Sequence, residues 1–205
     1  MATVLRFVPG KFGAPVALEL PMTETKQSAV APSLVNPLEE NNLQIRWPKE
    51  FDPSLCAVHI RSEVTTKATA DDVWKWLVRA ERWREYYPCA KNVRYSMYEG
   101  ASELRLATSF RWSFAGTKRT CTVTEYVPGR RLAWSTKGFG IRTYQAWLLD
   151  PAGEGCTITL EQTQKGFLAL FARLFGRGVL RRRQDMWLNG LDKRAVASAA
   201  KRARG

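Results

Sequence analysis

Residues 166–196 read GFLALFARLFGRGVLRRRQDMWLNGLDKRAV. Phe167, Leu170, Phe171, Leu174 and Phe175 recur at three- and four-residue spacing, which places them on one stripe of a helix. Arg173, Arg177 and Arg181 fall on another side. Beyond Gly176 and Gly178 a second stripe resumes with Leu180, Trp187, Leu191 and Ala195. A helix carrying this much aromatic and aliphatic surface needs a large apolar partner. The expectation is a long C-terminal helix whose stripes lie on a sheet, with any cavity between the two as the working site.

The residues upstream supply such a sheet. Val58, Ile60, Ser62 and Val64 alternate with His59, Arg61, Glu63 and Thr65, the pattern of a half-buried strand. Thr69 then reads as a helix N-cap, with Asp72 placed to reach back to the cap amide. A short helix follows, with Val73, Trp74 and Leu77 on one face. A second helical piece at 81–87 ends at Pro88. From Lys91 to Gln164 strand and turn repeat: 92–97 with a turn at Glu99-Gly100, an alternating run from Leu104 to Trp112, then 117–127, 131–136, 141–149 and 156–164. The last two are joined by the turn sequence Asp150-Pro151-Ala152-Gly153. Strands segregated from helices predict an α+β fold, a curved antiparallel sheet of about seven strands around the C-terminal helix.

Residues 1–52 contrast with this. They hold six prolines, with Pro53 at the boundary a seventh, and weak periodicity; short apolar pieces occur at 4–8 and 16–20. They read as a flexible or loosely packed extension, or as one that wraps the domain or a neighbouring subunit. The domain is expected over 53–198, with a basic tail at 199–205.

The 205 residues suffice for one domain with a substantial core plus this extension. A net charge of +13 favours anionic partners. From Lys165 onward eleven Lys and Arg face only Asp185 and Asp192. That excess reads as a solvated helix face, or as a surface for anionic membrane through Arg177, Arg181, Arg182 and Arg183. Nucleic acid is not expected, because no platform of interleaved aromatic and basic residues is present. Cys56, Cys89, Cys121 and Cys156 lie more than 30 residues apart, so neither a zinc knuckle nor a redox pair is expected. With no signal-peptide pattern and no long apolar run, a reduced cytoplasmic protein is expected. His59, the single histidine, alternates with Val58 and Ile60 and so faces outward. A Ser-His or Cys-His pair and a histidine metal site are thereby excluded. No glycine loop suits a nucleotide, and no cofactor is expected.

Several stretches together resemble the START-like, or SRPBCC, superfamily with its helix-grip fold. ATADDVWKWL resembles its helix entry after the first strand, and AERWREYYP its second short helix. TSFRWSFAGTKRTCTVTEYVPGRRLAWS resembles its central strand pair, AWLLDPAGEGCTITLEQTQKG its last hairpin and WLNGLDKRA the close of its final helix. The resemblance spans about 57–198. It implies a cavity for a hydrophobic or aromatic small molecule, lipid or polyketide-like. Trp83 and Tyr87 fall where the family has its pocket-mouth helices. Phe110, Trp112, Trp134 and Trp147 fall on the strands, and Phe171, Leu174 and Trp187 on the long helix. Each reads as core packing or as cavity lining. Many relatives carry a histidine before the tryptophan of the sixth strand, where this chain has Gln145-Ala146-Trp147. If Trp147 faces inward, so does Gln145, which cannot shuttle a proton near neutral pH. Arg105 and Arg111 alternate to the outer surface. A cyclase or dehydratase activity of the kind some relatives have would fall to Glu125, Glu161 or Tyr144, and only if they are buried inside.

Overall fold

The alternation from Val58 onward forms β1 (Val58–Thr66), with Ser62 and Thr66 buried on its inner side. The structure, a computed structural model, describes residues 44–96, 102–114 and 116–204. Most of the extension, including the pieces at 4–8 and 16–20, and the Glu99-Gly100 turn lie outside the described residues.

After β1 the Thr69 hydroxyl accepts from the Asp72 amide at 3.3 Å and starts α1 (Ala70–Leu77), which buries Val73, Trp74, Trp76 and Leu77. The Asp72 carboxylate, expected to reach back to the cap amide, pairs instead with Arg202 and lies 3.8 Å from Lys75. Burial would raise the pKa of this carboxyl, but the Arg202 guanidinium and the Thr69 hydroxyl together hold it below the ordinary aspartate value. A depressed carboxyl contributes stability above its unfolded pKa and loses it as the pH falls through the folded one. Arg202 is half exposed, so Asp72→Asn is expected to cost about 1 kcal/mol at pH 7. The difference from wild type should close as urea midpoints are followed below about pH 3.9. A gap that stays constant into acid would refute the pairing.

A 3-10 turn (Ala80–Glu85) replaces the second helix and buries Trp83, whose indole donates to the Leu77 carbonyl at 2.9 Å. The remaining strands are β2 (Lys91–Tyr95), β3 (Ser109–Phe114), β4 (Thr117–Val127), β5 (Arg131–Gly138), β6 (Ile141–Ala152) and β7 (Gly155–Lys165). They form one antiparallel sheet with β1, in the order β1-β7-β6-β5-β4-β3-β2. Two boundaries differ from the sequence reading by three residues or more. β3 begins at Ser109 rather than Leu104, because Ala107 takes φ +63° and breaks the run. The β6–β7 ladder continues through Pro151↔Cys156 and Ala152↔Gly155, which moves the turn to Gly153-Glu154.

Both faces of the sheet are covered. On the outer face Ala133, Tyr144 and Ala146 are roofed by Ile45, Trp47 and Phe51, with the Phe51 ring stacked on Tyr144 at 5.5 Å. Thr163 Oγ1 and Lys165 Nζ donate to the Phe51 and Glu50 carbonyls at 3.2 and 2.9 Å. Packed structure therefore begins before the boundary at 53 read from the sequence. The inner face holds α1, the 3-10 turn and a long helix, α3 (Arg177–Arg202), which takes up most of the expected basic tail. Preceding α3 are α2 (Phe167–Phe171) and a π-helical turn (Ala172–Gly176).

The second stripe packs as expected: Trp187, Leu191 and Ala195 are buried, with Gln184 and Leu188 beside them. The first stripe does not. Phe171 and Leu174 are 62% and 71% exposed, and within α2 only Ala169 is buried. The physical reason is the exit from β7. Gly166 turns at φ +108° so close to the β5–β6 turn that an added Cβ would sit 2.5 Å from the Gly140 carbonyl oxygen. Phe167 then lies against Gly140, where a Cβ would meet its ring at 2.2 Å. α2 thus rests on the tip of the β5–β6 turn instead of under the sheet, whose inner face tryptophans already fill.

Candidate functional site

A cleft remains between the inner face of the sheet and the first half of α3. Gln145 on β6 and Gln162 on β7 face each other in register and form part of its floor. Thr136, Thr143 and Arg119 extend that floor along β5, β6 and β4. α3 contributes Leu180, Arg183, Gln184 and Trp187, and Tyr87 and Trp112 close one side. The Tyr87 ring stacks on Trp187 at 4.4 Å and 5°. The open volume is about 30 Å³, far below the about 300–1,000 Å³ of a pocket for a drug-sized ligand.

That small volume has a visible cause. Trp83 stacks on Trp134 at 5.4 Å and meets Phe110, Trp112 and Trp187 edge-on at 5.6, 5.9 and 5.0 Å. Trp147 meets Trp187 edge-on at 5.2 Å. These rings occupy the space where an open cavity was expected. Of the side chains nominated from sequence, Tyr87, Trp112, Gln145 and Trp187 line the cleft. Trp83, Phe110, Trp134 and Trp147 are buried in the aromatic block behind it. Phe171 and Leu174 are outside, for the reason given above. Arg183, nominated as a membrane contact, is half-buried at the cleft, whereas Arg177, Arg181 and Arg182 are exposed. Arg105 and Arg111 are exposed as expected, Arg111 by its alternation on β3 and Arg105 in the loop before it, where Leu106, expected on the apolar face, is exposed as well.

Sequence reasoning missed Arg119, Thr136, Thr143, Gln162 and Gln184. The signal was there in part. Arg119 shares the parity of Cys121 and Val123 on β4, and Gln162 that of Leu160 on β7. Gln184 lies three residues before Trp187 and four after Leu180. Polar residues at inward positions are easily passed over by a search for apolar lining.

Among the described residues that line the cleft, Arg119 and Arg183 are the charged ones. Burial, and to a lesser degree the like charge of Arg183, holds the Arg119 guanidinium below its ordinary pKa. Burial pushes the Tyr87 phenol well above its ordinary value. The Cys121 thiol is pushed up to about 11 by burial; it accepts from Trp112 Nε1 at 3.3 Å and lies 3.1 Å from Thr136 Oγ1. Gln184 Oε1 accepts from Ser62 Oγ at 3.3 Å. The amide nitrogens of Gln145 and Gln184 are buried without a hydrogen-bond partner among the described residues.

The acid–base candidates lie on the other side of the sheet. Tyr144 is in the outer cluster with Phe51, Glu161 pairs across the ladder with Ala146 of that cluster, and Glu125 with Ala133. Glu161 Oε1 accepts from Arg61 at 3.0 Å, and its Oε2 lies 2.6 Å from His59 Nε2. Glu125 accepts from Arg131 Nε at 2.8 Å. Proton transfer inside the cleft is therefore not open to these three. His59 faces outward as expected, with the Trp47 ring edge-on at 5.7 Å.

A seven-stranded antiparallel sheet gripping a long C-terminal helix, with short helical pieces after the first strand, defines the helix-grip class. Residues 57–196 match the family described as polyketide cyclase / dehydrase and lipid transport, and the chain belongs to this family within the SRPBCC superfamily. A search of curated proteins returns no match. Among solved structures the chain is similar to the hypothetical protein jhp0584 from Helicobacter pylori, at 24% identity and TM-score 0.69 over 74% of this chain and 96% of that one. It is also similar to the di-domain ARO/CYC StfQ from the steffimycin biosynthetic pathway, at 16% identity and TM-score 0.59 over 70% of this chain and 52% of that one. A third similar structure is norcoclaurine synthase from Thalictrum, at 14% identity and TM-score 0.54 over 69% and 96%. At these identities the likeness is one of fold.

Proposed function

We propose that the protein binds a small hydrophobic or aromatic molecule in the cleft between the sheet and α3. The supporting observation is the position of that cleft, walled by the flat rings of Tyr87, Trp112 and Trp187 and floored by hydrogen-bonding groups. A volume of about 30 Å³ admits only part of such a guest, so the first half of α3 has to move outward for it to bind. The π-helical turn at Ala172–Gly176 and Gly178 just beyond it place the weakest stretch of helix at that point. Native mass spectrometry of the purified protein, followed by titration with naphthalene derivatives read by tryptophan fluorescence, tests the reading. A bound or bindable aromatic compound is expected. No carried compound and no fluorescence change up to millimolar ligand would refute it.

A second reading rests on a separate surface. Phe139 at the β5–β6 turn is 85% exposed and meets Phe167 edge-on at 5.9 Å. Leu170, Phe171 and Leu174 on the segment that Phe167 opens are also exposed, as are Lys137, Arg173 and Arg177. No helix among the described residues is long and apolar enough to cross a bilayer. The combination suits docking on an anionic membrane surface, with the rings in the interfacial layer and the cations at the headgroups. Vesicles of mixed phosphatidylglycerol and phosphatidylcholine are expected to sediment the protein, and pure phosphatidylcholine much less. Phe171→Glu with Leu174→Glu should weaken that binding about tenfold or more. Equal binding to both vesicle types, or no change in the double variant, would count against it.

A further inference from the structure

We propose that the ligand of the cleft carries an uncharged carbonyl group, and that Gln145 and Gln184 hold its oxygen by donating from their amide nitrogens. This rests on reading the cleft as the ligand site, and it goes further by naming the functional group recognised. The inner face of the sheet changes character along β6 and β7. The registered pairs Leu149↔Ile158 and Trp147↔Leu160 are apolar, and the next two inward pairs, Gln145↔Gln162 and Thr143↔Gln164, are polar. Thr143, Gln145 and Gln164 are buried, so this band is not a solvated end of the sheet. From the other side α3 brings Gln184 to the same cleft.

Two of these side chains have hydrogen-bonding capacity left over. Gln145 and Gln184 are 6% and 5% exposed, and the amide nitrogen of each is buried without a partner among the described residues. The Gln184 amide is held in one sense: its Oε1 accepts from Ser62 Oγ at 3.3 Å, which leaves Nε2 as the free end. The two donors come from opposite walls, β6 and α3, and so are placed to close on one acceptor between sheet and helix. A carbonyl oxygen has two lone pairs and takes two N–H groups at once. A hydrocarbon guest gives neither donor a partner, and a buried donor left unmade is costly. An ordered water satisfies the same donors, and only a guest that reproduces its hydrogen bonds displaces it without loss. The rings of Tyr87, Trp112 and Trp187 then receive the flat remainder of the molecule.

A matched pair of probes tests this: 1-tetralone and tetralin, bicyclic compounds of nearly the same shape that differ in one carbonyl, titrated by calorimetry. Tetralin is the more hydrophobic of the two, so a purely apolar site prefers it. Tetralone is expected to bind at least about tenfold tighter instead, the worth of two neutral hydrogen bonds. Gln145→Leu and Gln184→Leu, which keep bulk and remove the donor, should each weaken tetralone binding about threefold or more, while tetralin binding strengthens. Either variant serves alone should the other fail to fold. Equal affinities, or a preference for tetralin, overturn the carbonyl inference and leave the binding reading standing. Binding of neither compound up to its solubility limit overturns both. A tetralone preference that survives undiminished in both leucine variants also overturns it, because the oxygen would then be held elsewhere.

Discussion

Trp83→Ala is expected to lower the free energy of unfolding by about 3–5 kcal/mol, a large part of the about 5–15 kcal/mol that holds a typical domain together. Trp83 is fully buried, and its ring touches Phe110, Trp112, Trp134 and Trp187. Those four come from β3, β5 and α3, so one ring joins the sheet to the helix it grips. Removing it forfeits its burial, leaves a hole bounded by rigid neighbours that cannot collapse to fill it, and frees the Leu77 carbonyl. Trp83→Phe keeps a ring and should lose distinctly less. Urea unfolding at unchanged slope reads both changes, and indole at millimolar concentration should restore part of the alanine loss by occupying the hole. A loss under about 1 kcal/mol would show that the aromatic block is loosely packed, contrary to its ring geometry.

That block also explains which parts of the site were legible. Inward positions on strands announce themselves by parity, and Phe110 and Trp112 are where alternation put them. The combined volume of the inward rings is not a pattern in sequence: whether three tryptophans and a fourth on the helix leave a hollow or close it depends on ring angles set in three dimensions. The sequence pattern therefore located the cleft and overestimated its size. The α2 stripe failed for a related reason. Spacing specifies that Phe167, Leu170, Phe171 and Leu174 share a face, but not what that face meets. The partner was decided by backbone geometry at Gly166 and Gly140, where close approach seats α2 on a turn. Arg119 and Gln162 were missed because a polar residue at an inward parity looks, one residue at a time, like an imperfection in the alternation. Only the register Gln145↔Gln162, with Gln184 descending from the helix, shows that the exceptions meet at one place.

Gly190→Ala and Gly178→Ala, the same change on the same helix, are expected to have opposite signs. Both glycines lie in α3, where alanine is intrinsically favoured over glycine by about 1 kcal/mol. At Gly178 nothing lies within 4 Å of an added Cβ, so that gain should appear nearly whole. At Gly190 the Cβ would stand 2.0 Å from the Tyr86 carbonyl oxygen and 3.0 Å from its carbon. Neither is the end of a flexible side chain. Tyr86 closes the 3-10 turn that carries Trp83, and its hydroxyl donates to the Trp76 carbonyl at 3.2 Å, so the turn is tied to α1 as well. To relieve the contact, α3 has to back away by more than about 1 Å, which loosens Trp187 and Leu191 against the sheet. The expected result is a net loss of about 2–3 kcal/mol, or about 5–10 °C in Tm for a chain of this size. Because Tyr87 follows Tyr86 and stacks on Trp187, the same displacement opens the wall of the cleft. Gly190→Ala should therefore disturb ligand binding as well as stability, whereas Gly178→Ala should stiffen the first turns of the helix and slow ligand access without changing the cleft. Thermal melts of the two variants that move in the same direction would mean that α3 does not approach the turn as closely as this packing requires.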